Sequence, residues 1–265
     1  MYTITSTTLK THKCRYLHLS NPGRPAIVVL PGNLQEIESL GMFNQGLSRD
    51  FDYYVLELPG TGLNEPLHPT HPMVYLTQCL QLFVEQTVKR PTALLALSYA
   101  TPIGLEFAKN NLWITQLVLG GSMREIPEKR WPDALALMSN CMYDRTRFAE
   151  DFITALSADD DTIPRRKAAK RAAQLKARQY SDEQFKCFIY NSIRIMCYQA
   201  LDLNKIRCPT LCFTGDLDPY VTKELWLFLL CQMARILWKS RPPAAQAPRL
   251  PKQYLLIFHG VPTLW

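Results

Sequence analysis

Four short apolar runs, AIVVLPG, DYYVLELPG, TALLALS and ITQLVLGGS, lie within the first 122 residues, separated by segments long enough for helices. None of the runs alternates polar with apolar residues. A strand that is apolar at successive positions must be covered on both faces, which is the condition of strands in a parallel sheet flanked by helices. Parallel neighbours also need crossover connections, and residues 35–49, 73–89 and 99–110 carry the helical spacing to supply them. The leading segment, TITSTTLKTHKCRYLHLS, does alternate and reads as an antiparallel hairpin.

From about Met123 to Asn204 the strand signal vanishes and the sequence becomes helical, charged and aromatic, before a further strand begins in CPTLCFTGDLDPY. The expectation is one α/β core built from residues 1–122 and 206–265, with a helical cap, residues 123–205, inserted between two strands of its sheet. A chain of 265 residues, 47% hydrophobic and 20% charged, is large enough to bury such a core and has the balance of a folded protein. No apolar run approaches the roughly eighteen residues of a membrane span, and the opening MYTITSTTLKTHKCRY lacks a signal-peptide core. A cytoplasmic location and no membrane span are therefore expected.

Eight cysteines, at 14, 79, 141, 187, 197, 208, 212 and 231, form no CxxC pair and no zinc-ligand spacing, so reduced and mostly buried thiols are expected. The net charge of +7 is unevenly spread: PRRKAAKRAAQLKAR, residues 164–178, holds seven cations and no anion. That stretch suits a polyanion, a membrane surface or an acidic protein, or else it is a solvated helix face balanced by the ADDD at 158–161. No aromatics interleave with the cations and no phosphate loop or zinc finger is present, which argues against nucleic acid.

Ser98 is the one polar residue where the run TALLAL meets the helical segment YATPIGLEFA. A serine in a strand-turn-helix elbow is a candidate nucleophile, and small residues two before and two after it let strand and helix approach closely. Ala96 and Ala100 meet that demand at one methyl each. Here the sequence resembles the α/β-hydrolase superfamily over roughly residues 25–224. VVLPGN is similar to the oxyanion loop after the third strand, LELPGTGLNEP to the acidic-x-Pro-Gly-x-Gly-x-Ser turn with Glu57 and Asn64 as variants, and FTGDLDPYV to the G-x-x-D-x-x-V turn after the seventh strand. Within the superfamily the Ala-x-Ser elbow, the oxyanion Asn and GDLDPYVT look most like bacterial hydroxyalkanoyloxyalkanoate synthases, which use acyl-thioester substrates.

The resemblance implies an α/β-hydrolase fold, a mostly parallel sheet with helices on both faces and an inserted helical cap, and a serine-dependent acyl hydrolase or acyltransferase without cofactor or metal. By the same resemblance Ser98 is the nucleophile, Asp218 (or the nearby Asp216) orients the base, and the N–H of Tyr99 with that of Asn33 or Leu34 forms the oxyanion hole. Of the five histidines only His259 follows Asp218, as the chain order Ser, Asp, His requires, so His259 is the expected base. Met123, Trp131, Leu135, Met138, Met142, Phe148, Phe152, Phe185 and Tyr190 equip the cap either for an acyl pocket, with Trp131, Met138 and Phe185 as the substrate contacts, or for its own core. The expected substrate is a small acyl ester or thioester, and acyl carrier protein or a coenzyme A thioester is the acidic partner that the basic stretch would take.

The tail departs from the family. It reads His-Gly where the family has Gly-His, and beyond Glu224 it holds no Asp or Glu but three of the five tryptophans and five prolines. LWLFLLCQMARILW is apolar on every side instead of amphipathic. Residues 225–265 therefore read as an altered tail, for example from a shifted frame, or as a helix that docks on a partner or membrane surface. An altered tail would leave a fold that binds but has lost its catalytic histidine.

Overall fold

The computed structural model describes residues 2–109, 111–122, 125–126, 128–157, 165–199 and 202–214. Among the described residues the centre is a seven-stranded sheet in the order β1-β2-β4-β3-β5-β6-β7. The strands are β1 (Ile4–Leu9), β2 (His12–Leu19), β3 (Ala26–Leu30), β4 (Asp52–Leu56), β5 (Thr92–Leu97), β6 (Ile114–Gly120) and β7 (Thr210–Phe213). β1 and β2 form the expected antiparallel hairpin and β2 pairs antiparallel with β4, while every pairing from β4 across to β7 is parallel.

The unbroken apolar runs are explained by what covers them. Val28, Leu30, Tyr54, Leu56, Leu94 and Ala96 point to one face, where they pack with residues of α2 (Met73–Phe83) and α3 (Thr101–Ala108). Their neighbours Ile27, Val29, Tyr53, Val55, Ala93 and Leu95 point to the other, against Ile37 and Leu40 of a short 3-10 turn and Phe43 and Leu47 of α1 (Gly41–Leu47). Alternation of side chains along β3, β4 and β5 thus feeds two cores, and every position of these three central strands is buried.

Topology fixes where a ligand can enter. β3 and β5 are adjacent, yet the helix that follows β3 lies on one face and the helix that follows β5 on the other. Connections that leave neighbouring parallel strands toward opposite faces open a crevice at the strands' carboxyl ends. Among the described residues, four α-helices lie between β6 and β7: α4 (Trp131–Tyr143), α5 (Arg145–Ala155), α6 (Arg166–Arg178) and α7 (Asp182–Met196). α5 starts on Asp144, whose carboxylate accepts from the Arg147 N–H at 3.0 Å, and α7 on a reciprocal box between Ser181 and Gln184. Among the described residues no helix is long and apolar enough to cross a membrane. The tail at 225–265 lies outside the described residues.

Candidate active site

β5 ends buried at Leu97, and the chain then turns through Ser98–Ala100 into α3. Ser98 makes the turn with φ +49°, a left-handed conformation that costs an L-residue with a Cβ about 1–2 kcal/mol. Buried strand and buried helix on either side hold it there, with Thr101 Oγ donating to the Ser98 carbonyl at 2.7 Å and Pro102 in the first turn of α3. The alanines beside the serine fit for a specific reason. A Cβ placed on Gly104 would lie 2.9 Å from Ala96 Cβ, so the methyl added on the strand occupies space left free on the helix.

The loop after β3 closes on this turn. A Cβ at Gly32 would come within 3.1 Å of Ser98 Cβ, and the loop is folded on itself by the Gly32 N–H donating to Gln35 Oε1 at 2.6 Å. Leu34 has φ +63°, unusual for a branched side chain, and is nevertheless buried, among Met138, Cys141, Phe148, Phe185 and Phe188. Met138 and Phe185 therefore surround Leu34, while Trp131 is exposed and donates its indole N–H to the Ile126 carbonyl at 3.1 Å. Asn33 accepts on Oδ1 from Asn191 of α7 at 3.0 Å. Tyr99 is buried, and its hydroxyl accepts from Arg194 of α7 at 3.1 Å. The structure thus brings Ser98, Tyr99, Asn33 and Leu34 to the crevice between β3 and β5.

A cavity of about 190 Å³ opens from the same loop. Asn33 and Leu34 form one wall, Phe43 of α1 another, and Phe152, Ile153 and Ala173 of α5 and α6 a third. Its volume exceeds the roughly 150 Å³ that admits a benzene-sized group in a protein interior. Trp131, Met138 and Phe185 are not among its lining residues. Of the aromatics between β6 and β7, Phe152 and Tyr180 line it, whereas Phe43 and Ala173 carry no signal in the sequence because they come from distant positions in the chain and meet only across the cavity.

Glu57 organises the loop beside this crevice. Fully buried, it accepts from the Ile37 N–H at 2.8 Å, the Leu63 N–H at 3.0 Å and Arg15 at 3.1 Å. Burial pushes its carboxyl up to about 6, despite those donors and the Arg15 charge. Gly62 is required here, since its φ is +59° and a Cβ on it would lie 2.1 Å from Glu57 Cδ. Asn64, the variant at the turn's last position, donates to the Glu57 and Leu58 carbonyls at 2.7 and 3.1 Å.

Asp216, Asp218 and His259 lie outside the described residues, as does Met123. Among the described histidines, His18 contacts Asp52 at 2.8 Å, at the start of β4 and so at the end of the sheet remote from Ser98. Burial alone would raise the Asp52 carboxyl, but the Asn21 N–H, His18 and the Tyr54 hydroxyl outweigh it and hold the group below the usual carboxylate range. His12 and His71 meet edge to face beside Tyr75, and His68 packs on Tyr190. Among the described residues no cluster of His, Cys, Asp or Glu has the makings of a metal site.

No protein-family model and no curated protein sequence matches the chain. Solved structures do. An α/β hydrolase enzyme from a Medee basin deep-sea metagenome library superposes with a TM-score of 0.78 at 13% identity, covering 86% of each chain. An esterase from Exiguobacterium antarcticum gives 0.72 at 17% identity over 88% of each chain, and the enol-lactonase from Burkholderia xenovorans LB400 gives 0.70 at 16% identity over 88% of this chain and 87% of that one. At such identities the likeness is one of fold, and the chain has the α/β-hydrolase fold.

Proposed function

We propose that the protein is a serine hydrolase of small acyl esters or thioesters, acting through an acyl-Ser98 intermediate. The observation that carries this reading is the strained Ser98, φ +49°, at the β5–α3 turn with the β3 loop packed against it. Backbone strain of this kind persists where the surroundings over-determine it, and functional sites are where it concentrates. An esterase and an enol-lactonase among the similar structures are in keeping with an ester substrate.

In the proposed cycle the Ser98 oxygen attacks the acyl carbonyl carbon as His259, oriented by Asp218, takes its proton. N–H groups of Tyr99 and of Asn33 or Leu34 stabilise the oxyanion, a contribution of about 3–4 kcal/mol per donor. Collapse breaks the ester C–O or thioester C–S bond, and the histidine returns the proton to the leaving group. Water then repeats the sequence on the acyl-serine to release the acid; a hydroxyacyl acceptor in place of water would make the protein an acyltransferase. Residues 123–205 act as the cap over the crevice, and the cations of α6 are the surface on which acyl carrier protein or a coenzyme A thioester would approach.

Labelling by a fluorophosphonate probe tests the reading. The intact chain is expected to label, and Ser98→Ala and His259→Ala are each expected to abolish it. A correctly folded chain that does not label would overturn the proposal in favour of a binding protein that lacks its base, the reading to which the acid-free segment beyond Glu224 points.

A further inference from the structure

One face of α7 is polar and yet turned inward. Gln184, Cys187, Asn191 and Arg194 recur at intervals of three and four residues, so they form a single stripe, and every one reaches a loop at the carboxyl ends of β3, β4 or β5. Gln184 donates to Glu36 at 3.0 Å, Cys187 to the Asn64 carbonyl at 3.7 Å, and Asn191 to both Asn33 Oδ1 at 3.0 Å and the Gly60 carbonyl at 2.8 Å. Arg194 is only 2% exposed and meets no carboxylate among the described residues. Its guanidinium instead donates to the carbonyls of His71 at 2.8 Å, Leu67 at 2.7 Å and His68 at 3.1 Å, to the Tyr99 hydroxyl at 3.1 Å, and to Asn191 Oδ1. These are five acceptors for the five N–H groups a guanidinium offers.

A buried charge without a counter-ion is expensive even when fully hydrogen-bonded, and apolar side chains of similar volume would pack a helix against loops at lower cost. What the polar pair does that apolar residues would not is fix direction. Arg194 pins the side chain of Tyr99, the residue after Ser98, and through Asn191 Oδ1 it orients the amide that grips Asn33. We propose that Asn191 and Arg194 are positioning residues, which hold from α7 the two segments whose backbone N–H groups form the oxyanion hole. The inference rests on the acyl-serine reading given above, and adds that the hole is assembled by the cap helix and not by the sheet alone.

The test is a mutant cycle read by the rate of fluorophosphonate labelling. Asn191→Asp keeps the acceptor for Arg194 but turns the donor toward Asn33 into a second acceptor, without changing shape. It is expected to retain the thermal midpoint within a few degrees and to lower the maximal labelling rate at least about tenfold, with little change in reversible probe binding. Asn33→Ala should do the same, and combining Asn33→Ala with Asn191→Ala should be no slower than the slower single variant, because both cut one tether. Arg194→Lys keeps the charge and loses the fork, and is expected to label slowly; labelling at the wild-type rate would mean that charge alone matters. A folded Asn191→Asp that labels as fast as the wild type, or additive losses in the cycle, would overturn the positioning role and leave the acyl-serine reading intact. A folded wild-type chain that does not label would overturn that reading, and this role with it.

Discussion

Ser98 and Leu34 both adopt positive φ where no glycine stands, and both lie in the crevice between β3 and β5. Their surroundings supply what their own preferences do not. Around Ser98 the fit depends on Ala96 and Gly104, the methyl on the strand filling the space that the glycine leaves on the helix. Gly104→Ala is accordingly expected to destabilise the protein by about 1–3 kcal/mol through overpacking. Ala96→Gly in the same chain should recover most of that loss, a pair of outcomes that urea midpoints of the two variants will check. The elbow was legible in the sequence through the order of its neighbours, because Ala96 and Ala100 are small enough to preserve its spacing. Leu34 was not legible as a strained residue. Nothing in a leucine announces φ +63°, which is held here by burial against Phe148, Phe185 and Phe188 from distant positions in the chain.

Helices explain most of the difference between the expected and the observed pocket. The aromatics of residues 123–205 were read as pocket or core, and the packing of α4, α5 and α7 puts Met138, Phe148 and Phe185 in one buried cluster with Leu34, while the cavity is lined by residues of α1, α5 and α6. Helical periodicity marks which face of an element is apolar, but not which neighbour that face meets. For the same reason the stripe of Gln184, Cys187, Asn191 and Arg194 escaped notice, although its spacing is plain once α7 is seen from inside. If the cavity takes the acyl group, Ala173→Leu should narrow it. Activity on a long-chain p-nitrophenyl ester is expected to fall by at least about tenfold in kcat/KM relative to the acetyl ester, the discrimination a few methylenes in an apolar pocket can give. Equal losses on both esters would place the acyl chain elsewhere.

For the molecule as a whole, two buried carboxylates at opposite ends of the sheet give stability opposite responses to pH. Glu57 has its folded pKa raised to about 6 from an ordinary 4.5, so its contribution is fully present below 4.5 and is lost as pH rises through about 6. Asp52, held below its ordinary 3.8, contributes above that value and loses the contribution as pH falls through its depressed one. Thermal midpoints should therefore show wild type losing ground to Glu57→Gln between pH 4.5 and 6, whereas its advantage over Asp52→Asn should persist at neutral pH and close only in stronger acid. The parallel pairing of β3, β4, β5 and β6, by contrast, was legible in their apolar runs, whereas the order of the strands across the sheet was not. Exchanging the helices between β6 and β7 for those of another protein would cut across a seam between core and insertion. Asn33, Leu34 and Glu36 belong to the core chain, but their partners Asn191, Phe185 and Gln184 belong to the helices between β6 and β7. Foreign helices would arrive without those partners, so a chimaera must carry the α7 stripe across or leave the β3 loop without the contacts that hold it.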